Sequence, residues 1–263
     1  MDLSHVQICS ENMTDDPISS TLITGCGQGI GLACFRELLH SPWNDFTIGV
    51  TRSKNRTIQE LAEVNSSNSL VSYLDVVDSS ATSRFFHCLD DGMQIQRAIL
   101  NAGMRSRLPY EEASLDTFSE VLSVNCLSVI EWTKFLIKRA AQLNHSLNIL
   151  VVSSIVGTRG FADLSTYATS KSALEGFVRS VAVEYATKNV QINAIAPGFI
   201  SSSYADSFKD NRPELYQWTL QQTPMARWGS CEEVAKLSCF LIGPDNTYMT
   251  GAVIPCDGGW MSK

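Results

Sequence analysis

The sequence has few of the features that mark a membrane protein or a nucleic-acid-binding protein. It has 20 basic against 27 acidic residues, a net charge of −7. It contains no concentrated stripe of lysine or arginine, so binding to a phosphate backbone is not indicated. The apolar runs fall well short of the ~20 residues that a membrane-spanning helix needs. Residues 1–5 provide neither a basic nor an apolar stretch, so no signal peptide is predicted.

Cysteine, histidine, glycine and proline are also sparse. The eight cysteines form no C-x-x-C pair and the four histidines are scattered, so neither a disulfide scaffold nor a metal site is expected. The sixteen glycines and eight prolines among 263 residues fall below the level typical of disordered chains. With 44% hydrophobic residues, the sequence predicts a globular, cytoplasmic protein that is large enough to bury a substantial core.

Short apolar strands alternate with amphipathic helices along the chain. Residues 1–19 are polar and aperiodic, which predicts a flexible N-terminal arm, and residues 20–263 are predicted to form one domain. The predicted strands lie near 20–23, 46–50, 70–74, 98–100, 147–152, 190–196 and 252–254. Helical patterns separate them, including a long stretch over 112–144 with room for a break. This alternation predicts a single doubly wound, Rossmann-type α/β domain: a parallel sheet of about seven strands with helices on both faces.

A glycine-rich turn connects the first strand to the first helix. Gly25, Gly29 and Gly31 have the spacing G-x-x-x-G-x-G, which differs from the common dinucleotide fingerprint G-x-G-x-x-G. Such a turn lets the backbone approach a pyrophosphate, and the helix N-terminus supplies amide donors. The alternative is a tight strand-to-helix turn that binds no ligand.

Further motifs follow the glycine turn in a fixed order. They are Asn101-Ala102-Gly103, Ser154, the Y-x-x-x-K motif from Tyr167 to Lys171, Pro197-Gly198 and Asp257-Gly258-Gly259. Together with the glycine turn, over roughly residues 20 to 260, they resemble the short-chain dehydrogenase/reductase family. The nearest likeness is to its 3-oxoacyl-(acyl-carrier-protein) reductase-like members.

The resemblance implies a catalytic set of Ser154, Tyr167, Lys171 and Asn125. Tyr167 and Lys171 are four residues apart, so in a helix they share one face. By this resemblance Tyr167 gives a proton to a carbonyl oxygen, which Ser154 holds, as hydride arrives. Lys171 favours the phenolate and binds the nicotinamide ribose, while Asn125 holds a water that links the lysine to solvent. The alternative for Asn125 is an incidental asparagine inside a helix.

The cofactor preference is predicted from the end of the second strand. Arg52 lies there with no carboxylate beside it, and a guanidinium can pair with a 2′-phosphate, so NADP(H) is favoured over NAD(H). The alternative is that Arg52 is a solvated loop residue. Asp75 resembles the family's adenine-contacting aspartate, but a turn or cap role is open too. The full set of predicted cofactor contacts is Gly25, Gln28, Gly29, Ile30, Gly31, Arg52, Asp75, Val76, Asn101, Ala102, Gly103, Tyr167, Lys171, Pro197, Gly198, Ile200 and Ser202.

The segment from Ser201 to Arg227 resembles the family's substrate loop and lid. Its aromatic residues have enough area to cover a substrate, although ordinary packing between helix and sheet is the alternative. They are Tyr204, Phe208, Tyr216 and Trp218. Arg105 and Arg107 follow the Asn-Ala-Gly motif and are expected on the cleft side, where they would attract an anionic group. The alternative for these two arginines is a solvated loop.

The expected function is NADP(H)-dependent reduction of a ketone to a secondary alcohol, with a 3-oxoacyl thioester as the leading substrate class. A keto sugar or another small polar carbonyl is the alternative substrate, and a catalytically idle NADP-binding module is the alternative function. The resemblance also implies a homotetramer or homodimer. No nucleic-acid or membrane partner is expected.

Overall fold

The computed structural model describes residues 17–202 and 208–262. Most of the predicted N-terminal arm, residues 1–16, and the predicted lid residue Tyr204 lie outside this part. The strands are β1 (Ile18–Thr24), β2 (Phe46–Thr51), β3 (Ser69–Tyr73), β4 (Met93–Leu100), β5 (Leu147–Val152), β6 (Val190–Pro197), β7 (Ile200–Ser201), β8 (Gly229–Ser230) and β9 (Val253–Cys256). The α-helices are α1 (Gly29–Leu39), α2 (Arg56–Val64), α3 (Ser79–Cys88), α4 (Leu115–Leu122), α5 (Ser128–Gln142), α6 (Ser165–Tyr185), α7 (Pro213–Gln222) and α8 (Cys231–Ile242).

Seven of the strands form one parallel sheet in the order β3-β2-β1-β4-β5-β6-β9. The predicted fold class is confirmed. The strand order reverses between β1 and β4, and in open α/β sheets a crevice forms at such a point, beyond the carboxyl ends of the strands. The chain segments that follow β1, β4, β5 and β6 therefore meet at one edge of the sheet.

Two apolar layers cover the sheet because neighbouring residues of a strand point to opposite faces. In β1, Leu22 packs into the layer that contains Trp132 of α5 and Leu174 of α6. The next residue, Ile23, packs into the other layer, with Phe35 of α1 and residues of α8. Every residue of β2 and of β5 is buried, as expected for strands that are covered on both faces.

Three element boundaries differ from the prediction. β1 begins at Ile18, two residues before the predicted domain start, and pairs there with Met93. β4 begins at Met93 rather than near 98, because its first half alternates buried and half-buried residues instead of forming a continuous apolar run. The long helical stretch begins at Leu115, where the side chain of Ser114 accepts a hydrogen bond from the Thr117 amide.

The seven cysteines that the structure describes are all free, and five of them are buried. Within residues 17–202 and 208–262, no helix is long and apolar enough to cross a membrane. In the same ranges, no three His, Cys, Asp or Glu side chains are grouped closely enough to hold a metal ion.

Candidate active site

The glycine turn is pressed against the end of β4. The side-chain amide of Asn101 donates hydrogen bonds to the carbonyl oxygens of Thr24 and Gly25, at 3.2 and 3.0 Å. A side chain at Gly31 would clash with the Gly25 carbonyl oxygen and the Asn101 amide, so only glycine fits there. Asn101 and the glycine turn, which were predicted as separate motifs, thus form one unit.

The N-terminus of α1 faces open space. Its first residue, Gly29, has a φ of +58°, and a side chain added there would meet only Ser202, at 3.8 Å. In α1, which the structure describes in full, the N-cap residue Gln28 makes no side-chain capping bond and the first turn contains no acidic residue. First-turn amides without a side-chain cap, together with the helix dipole, favour an anion. This local chemistry fits the pyrophosphate of a dinucleotide.

Arg52 and Asp75 lie beside this turn, after β2 and β3. Their side chains are paired at 3.7 Å, and that of Arg52 is 76% exposed. Asp75 also accepts a hydrogen bond from the Val77 amide at 3.2 Å, so it has the turn role that was left open. Val76 is buried, and its carbonyl oxygen accepts a hydrogen bond from the indole of Trp132. Because the ion pair with Asp75 is long and the Arg52 side chain is mostly exposed, its guanidinium can bind another anion in place of Asp75.

A cavity of about 270 Å³ lies at the carboxyl ends of β4, β5 and β6. It brings together the predicted residues Ile30, Asn101, Gly103, Ser154, Tyr167, Lys171, Pro197, Gly198, Ile200 and Ser202. We call it the catalytic cavity. Of the other predicted residues, Gly25, Gln28, Gly29, Gly31 and Ala102 belong to the adjoining turns, and Asn125 lies behind the wall.

Tyr167 and Ser154 both line the catalytic cavity. Burial raises the pKa of Tyr167, while the positive charge of Arg105 and hydrogen bonding from the Ser154 side chain act in the opposite direction. The Arg105 guanidinium lies 5.8 Å from the centre of the Tyr167 ring. The phenol is therefore protonated at neutral pH, as a proton donor must be.

Lys171 is one helical turn after Tyr167, as predicted. Its Nζ donates a hydrogen bond to the Val152 carbonyl oxygen at 2.7 Å and lies 5.6 Å from the centre of the Tyr167 ring. Burial lowers the pKa of Lys171 to about 8. Arg105 is a second cation beside Tyr167, and the sequence analysis did not connect it with the tyrosine.

Asn125 lies in a π-helical segment, Ser123–Leu127, that interrupts the long helix between α4 and α5. Its side chain accepts a hydrogen bond from the Met104 amide at 2.7 Å and donates to the Met104 carbonyl oxygen and to Ser170. This side chain therefore connects the Asn-Ala-Gly turn with α6. It holds two walls of the catalytic cavity in place.

Glu175 is a buried carboxylate that the sequence analysis missed. It lies one turn beyond Lys171 on α6, and its two oxygens accept hydrogen bonds from Ser153 at 2.9 Å and Thr158 at 3.2 Å. These two hydroxyls flank the turn that carries Ser154. The signal in the sequence was the third polar residue at a four-residue spacing, Tyr167, Lys171 and Glu175.

A second cavity, of about 410 Å³, adjoins the catalytic cavity. Phe161 and Phe199 line both cavities. We call the second one the aromatic chamber; its other lining residues are Arg107, Arg159, Gly160, Ala162, Phe208, Leu215, Trp218, Thr219, Gln222 and Trp260.

The predicted lid residues divide between the chamber and ordinary packing. Trp218 and Phe208 line the aromatic chamber, whereas Tyr216 packs against Trp228 with ring centres 5.1 Å apart. Phe161 and Trp260 were not predicted as site residues. They come from the loop after Ser154 and from the C-terminus, and no local pattern connects them.

Comparison with known families identifies the class of protein. The family model described as "Enoyl-(Acyl carrier protein) reductase" matches residues 25–261, nearly the whole described domain. The chain belongs to the short-chain dehydrogenase/reductase family, as the motifs predicted, and is an oxidoreductase.

Two curated relatives have different substrates in their names. One is 2-dehydro-3-deoxy-D-gluconate 5-dehydrogenase of Bacillus subtilis (strain 168), 28% identical, with 93% of this chain and 95% of that protein covered. The other is 3-oxoacyl-(acyl-carrier-protein) reductase FabG of Pseudomonas aeruginosa, 30% identical, with 90% and 95% covered. Among solved structures, ElxO with NADP bound is 27% identical, with a TM-score of 0.84 and 94% and 100% covered.

Proposed function

We propose that this protein reduces a ketone to a secondary alcohol with NADPH as hydride donor. The observation that carries the proposal is the meeting of Ser154, Tyr167 and Lys171 in one cavity next to an uncapped glycine turn. This reaction requires two hydroxyl groups from the protein. One holds the carbonyl oxygen by a hydrogen bond, and the other protonates it.

The residues around the glycine turn fit a dinucleotide, and NADP(H) is the proposed cofactor. The first turn of α1 would hold the pyrophosphate, and Arg52, exposed and paired only loosely with Asp75, would meet the 2′-phosphate. The bound cofactor supplies the hydride. The NADP-bound relative ElxO supports this choice. Gly103, Pro197, Gly198, Ile200 and Ser202 line the cavity where the nicotinamide would lie.

The chain's own residues divide the proton chemistry between them. Ser154 donates a hydrogen bond to the substrate carbonyl oxygen and polarises it. Tyr167, whose pKa is raised by burial, keeps its proton at neutral pH and delivers it to that oxygen. Lys171 is protonated below about pH 8, and its charge stabilises the phenolate that remains.

The aromatic chamber favours an apolar substrate body, as in a 3-oxoacyl thioester. Its rings offer few hydrogen-bond partners for hydroxyl groups, and buried hydroxyls without partners are costly. A keto sugar acid is the second candidate, because Arg107 and Arg159 at the chamber suit a carboxylate and one relative carries a sugar acid in its name.

The test is loss of NADPH absorbance with a panel of carbonyls, using wild type and the Tyr167→Phe variant. The panel contains a 3-oxoacyl thioester, keto sugars, a simple diketone and aromatic aldehydes, with NADH run in parallel. We expect turnover with NADPH and a loss of 10²-fold or more in Tyr167→Phe, because the proton donor is gone, with NADPH binding unchanged. Comparable turnover by the variant would overturn the mechanism, and NADPH binding without any turnover would favour an idle binding module.

We also propose that the protein is a homodimer or homotetramer. Leu115 of α4, Leu127 of the π-helical segment and Val183 of α6 are large apolar side chains that are mostly exposed. Burying them against a second copy would remove apolar surface from water. The mass in solution, measured by light scattering, tests this assembly.

A further inference from the structure

The two cavities have a positive lining in an acidic protein. Among the lining residues that the structure describes, Arg105, Arg107, Arg159 and Lys171 are basic and none is a carboxylate. The whole chain, by contrast, has a net charge of −7. A cleft of one sign in a chain of the other raises the local concentration of oppositely charged ligands. The substrate side of the site is therefore suited to an anion.

The three arginines differ in how far they are exposed. Arg107 is 16% exposed, donates to the Ala162 carbonyl oxygen and lies 3.9 Å from the carboxylate of Asp163, so Asp163 offsets much of its charge. Arg105 and Arg159 are exposed. Arg159 follows the turn that carries Ser154 and is fixed at its backbone, where its amide donates to Ile155. Of the two arginines that line the aromatic chamber, Arg159 is therefore the more exposed to an incoming ligand.

The chamber wall is a connected set of rings. Trp260 stacks on Phe161 with centres 5.8 Å apart and meets Phe199 edge-on at 5.0 Å, while Trp218 meets Trp260 edge-on at 5.5 Å. Rings that contact one another in this way form a continuous apolar surface that packs well against another flat or apolar group. The volume of about 410 Å³ lies within the usual size of small-molecule sites.

We infer that the substrate is a carbonyl compound with an apolar, ring-sized body that ends in an anionic group, the body lying against Phe161, Trp218 and Trp260 and the anion at Arg159. This inference rests on the proposed function, because the carbonyl is placed at Ser154 and Tyr167. The anion has two chemical sources: a free carboxylate on the ring, or the phosphates of a thioester carrier such as coenzyme A.

Four carbonyl probes separate these properties. They are 4-acetylbenzoate, its methyl ester, 5-keto-D-gluconate and a 3-oxoacyl-coenzyme A. For each, kcat/KM is measured with NADPH, and binding to the NADP⁺-bound protein is measured by calorimetry. We expect kcat/KM for 4-acetylbenzoate to be about tenfold higher than for the ester, which lacks the charge, and about tenfold higher than for the keto sugar acid, which lacks the apolar body. A tenfold difference is about the contribution of one charged hydrogen bond or one buried ring. If kcat/KM for the 3-oxoacyl-coenzyme A exceeds those for the ester and the keto sugar acid by a similar factor, the anion is assigned to the phosphates of the carrier.

The Arg159→Gln variant tests the anion's position, with Arg84→Gln on α3 as the matched control, since Arg84 is exposed and lines neither cavity. Arg159→Gln is expected to remove the preference for 4-acetylbenzoate over its ester, and Arg84→Gln to keep it. Turnover that favours the ester or the keto sugar acid would overturn the inference and leave the proposed function standing. Tight binding of 4-acetylbenzoate without turnover would sink the proposed function only. Equal, weak binding of all four probes would overturn the inference.

Discussion

The catalytic cavity and the aromatic chamber adjoin each other but are built in opposite ways. In the cavity, polar side chains are buried and tied to backbone groups, as Lys171 is to the Val152 carbonyl and Asn125 to Met104. In the chamber, Phe161, Trp218 and Trp260 are half-buried or exposed and hold one another by ring contacts. Hydrogen bonds fix position and direction, whereas ring packing tolerates rearrangement. The catalytic side chains are therefore held in fixed positions, whereas the surface proposed to contact the substrate body can change without loss of the fold.

The largest changes in turnover and in stability are expected from Lys171→Met, a variant in the catalytic cavity. The buried ammonium has a pKa of about 8 instead of its ordinary 10.5, so being protonated at pH 7 costs the folded state on the order of 3 kcal/mol. The unfolded chain binds the proton more tightly, and stability therefore rises with pH between about 8 and 10.5. We expect Lys171→Met to lose turnover by 10²-fold or more and to gain about 1–2 kcal/mol of unfolding free energy at pH 7.

Urea unfolding at pH 7 and pH 9.5, with NADPH turnover, measures both effects. The control is Lys138→Met, an exposed lysine on α5, which should change neither. A variant that is less stable than wild type at pH 7 would contradict the idea that this charge is held at a cost to folding.

The next largest change in turnover is expected from Glu175→Gln. Glu175 does not line the catalytic cavity but supports the turn that carries Ser154. Glutamine keeps the size but provides one acceptor oxygen where Glu175 provides two, to Ser153 and Thr158. The turn that carries Ser154 then loosens, and we expect kcat to fall about tenfold, with the KM for NADPH unchanged. Steady-state kinetics measure this split, with Glu184→Gln, exposed on the same helix, as the control. An equal change in kcat and in the KM for NADPH would point to general damage instead.

The smallest effect is expected from the chamber, in Trp218→Ala. This side chain is 42% exposed, so its loss should leave the melting temperature almost unchanged. Removing part of the apolar wall should raise KM for the apolar carbonyl substrate about fivefold, about 1 kcal/mol, with kcat unchanged. Tyr248→Ala, almost fully exposed and outside both cavities, is the control. A drop in kcat comparable to that of Glu175→Gln would remove the distinction between cavity and chamber.

Short-range patterns were sufficient for the fold class, whereas the catalytic residues were predicted from the resemblance to a known family. The seven-stranded parallel sheet followed from apolar runs separated by helices, because strand and helix periods are local properties of the chain. Tyr167 and Lys171 were placed together by helical geometry alone. The boundaries that the sequence analysis misjudged, at Ile18 and Met93, are strand ends where pairing with a neighbouring strand overrides local polarity.

The sequence alone determined that this chain folds as a doubly wound sheet with a glycine turn after its first strand. Its resemblance to a known family implied that a serine, a tyrosine and a lysine act together. Only the tertiary structure decided that Arg105 acts on Tyr167, that Glu175 holds the turn of Ser154, and that Trp260 meets Phe161. Such contacts join residues that are far apart in the chain or that lie on different elements. Helix and strand periodicity carries no information about them, because they arise only when the elements pack.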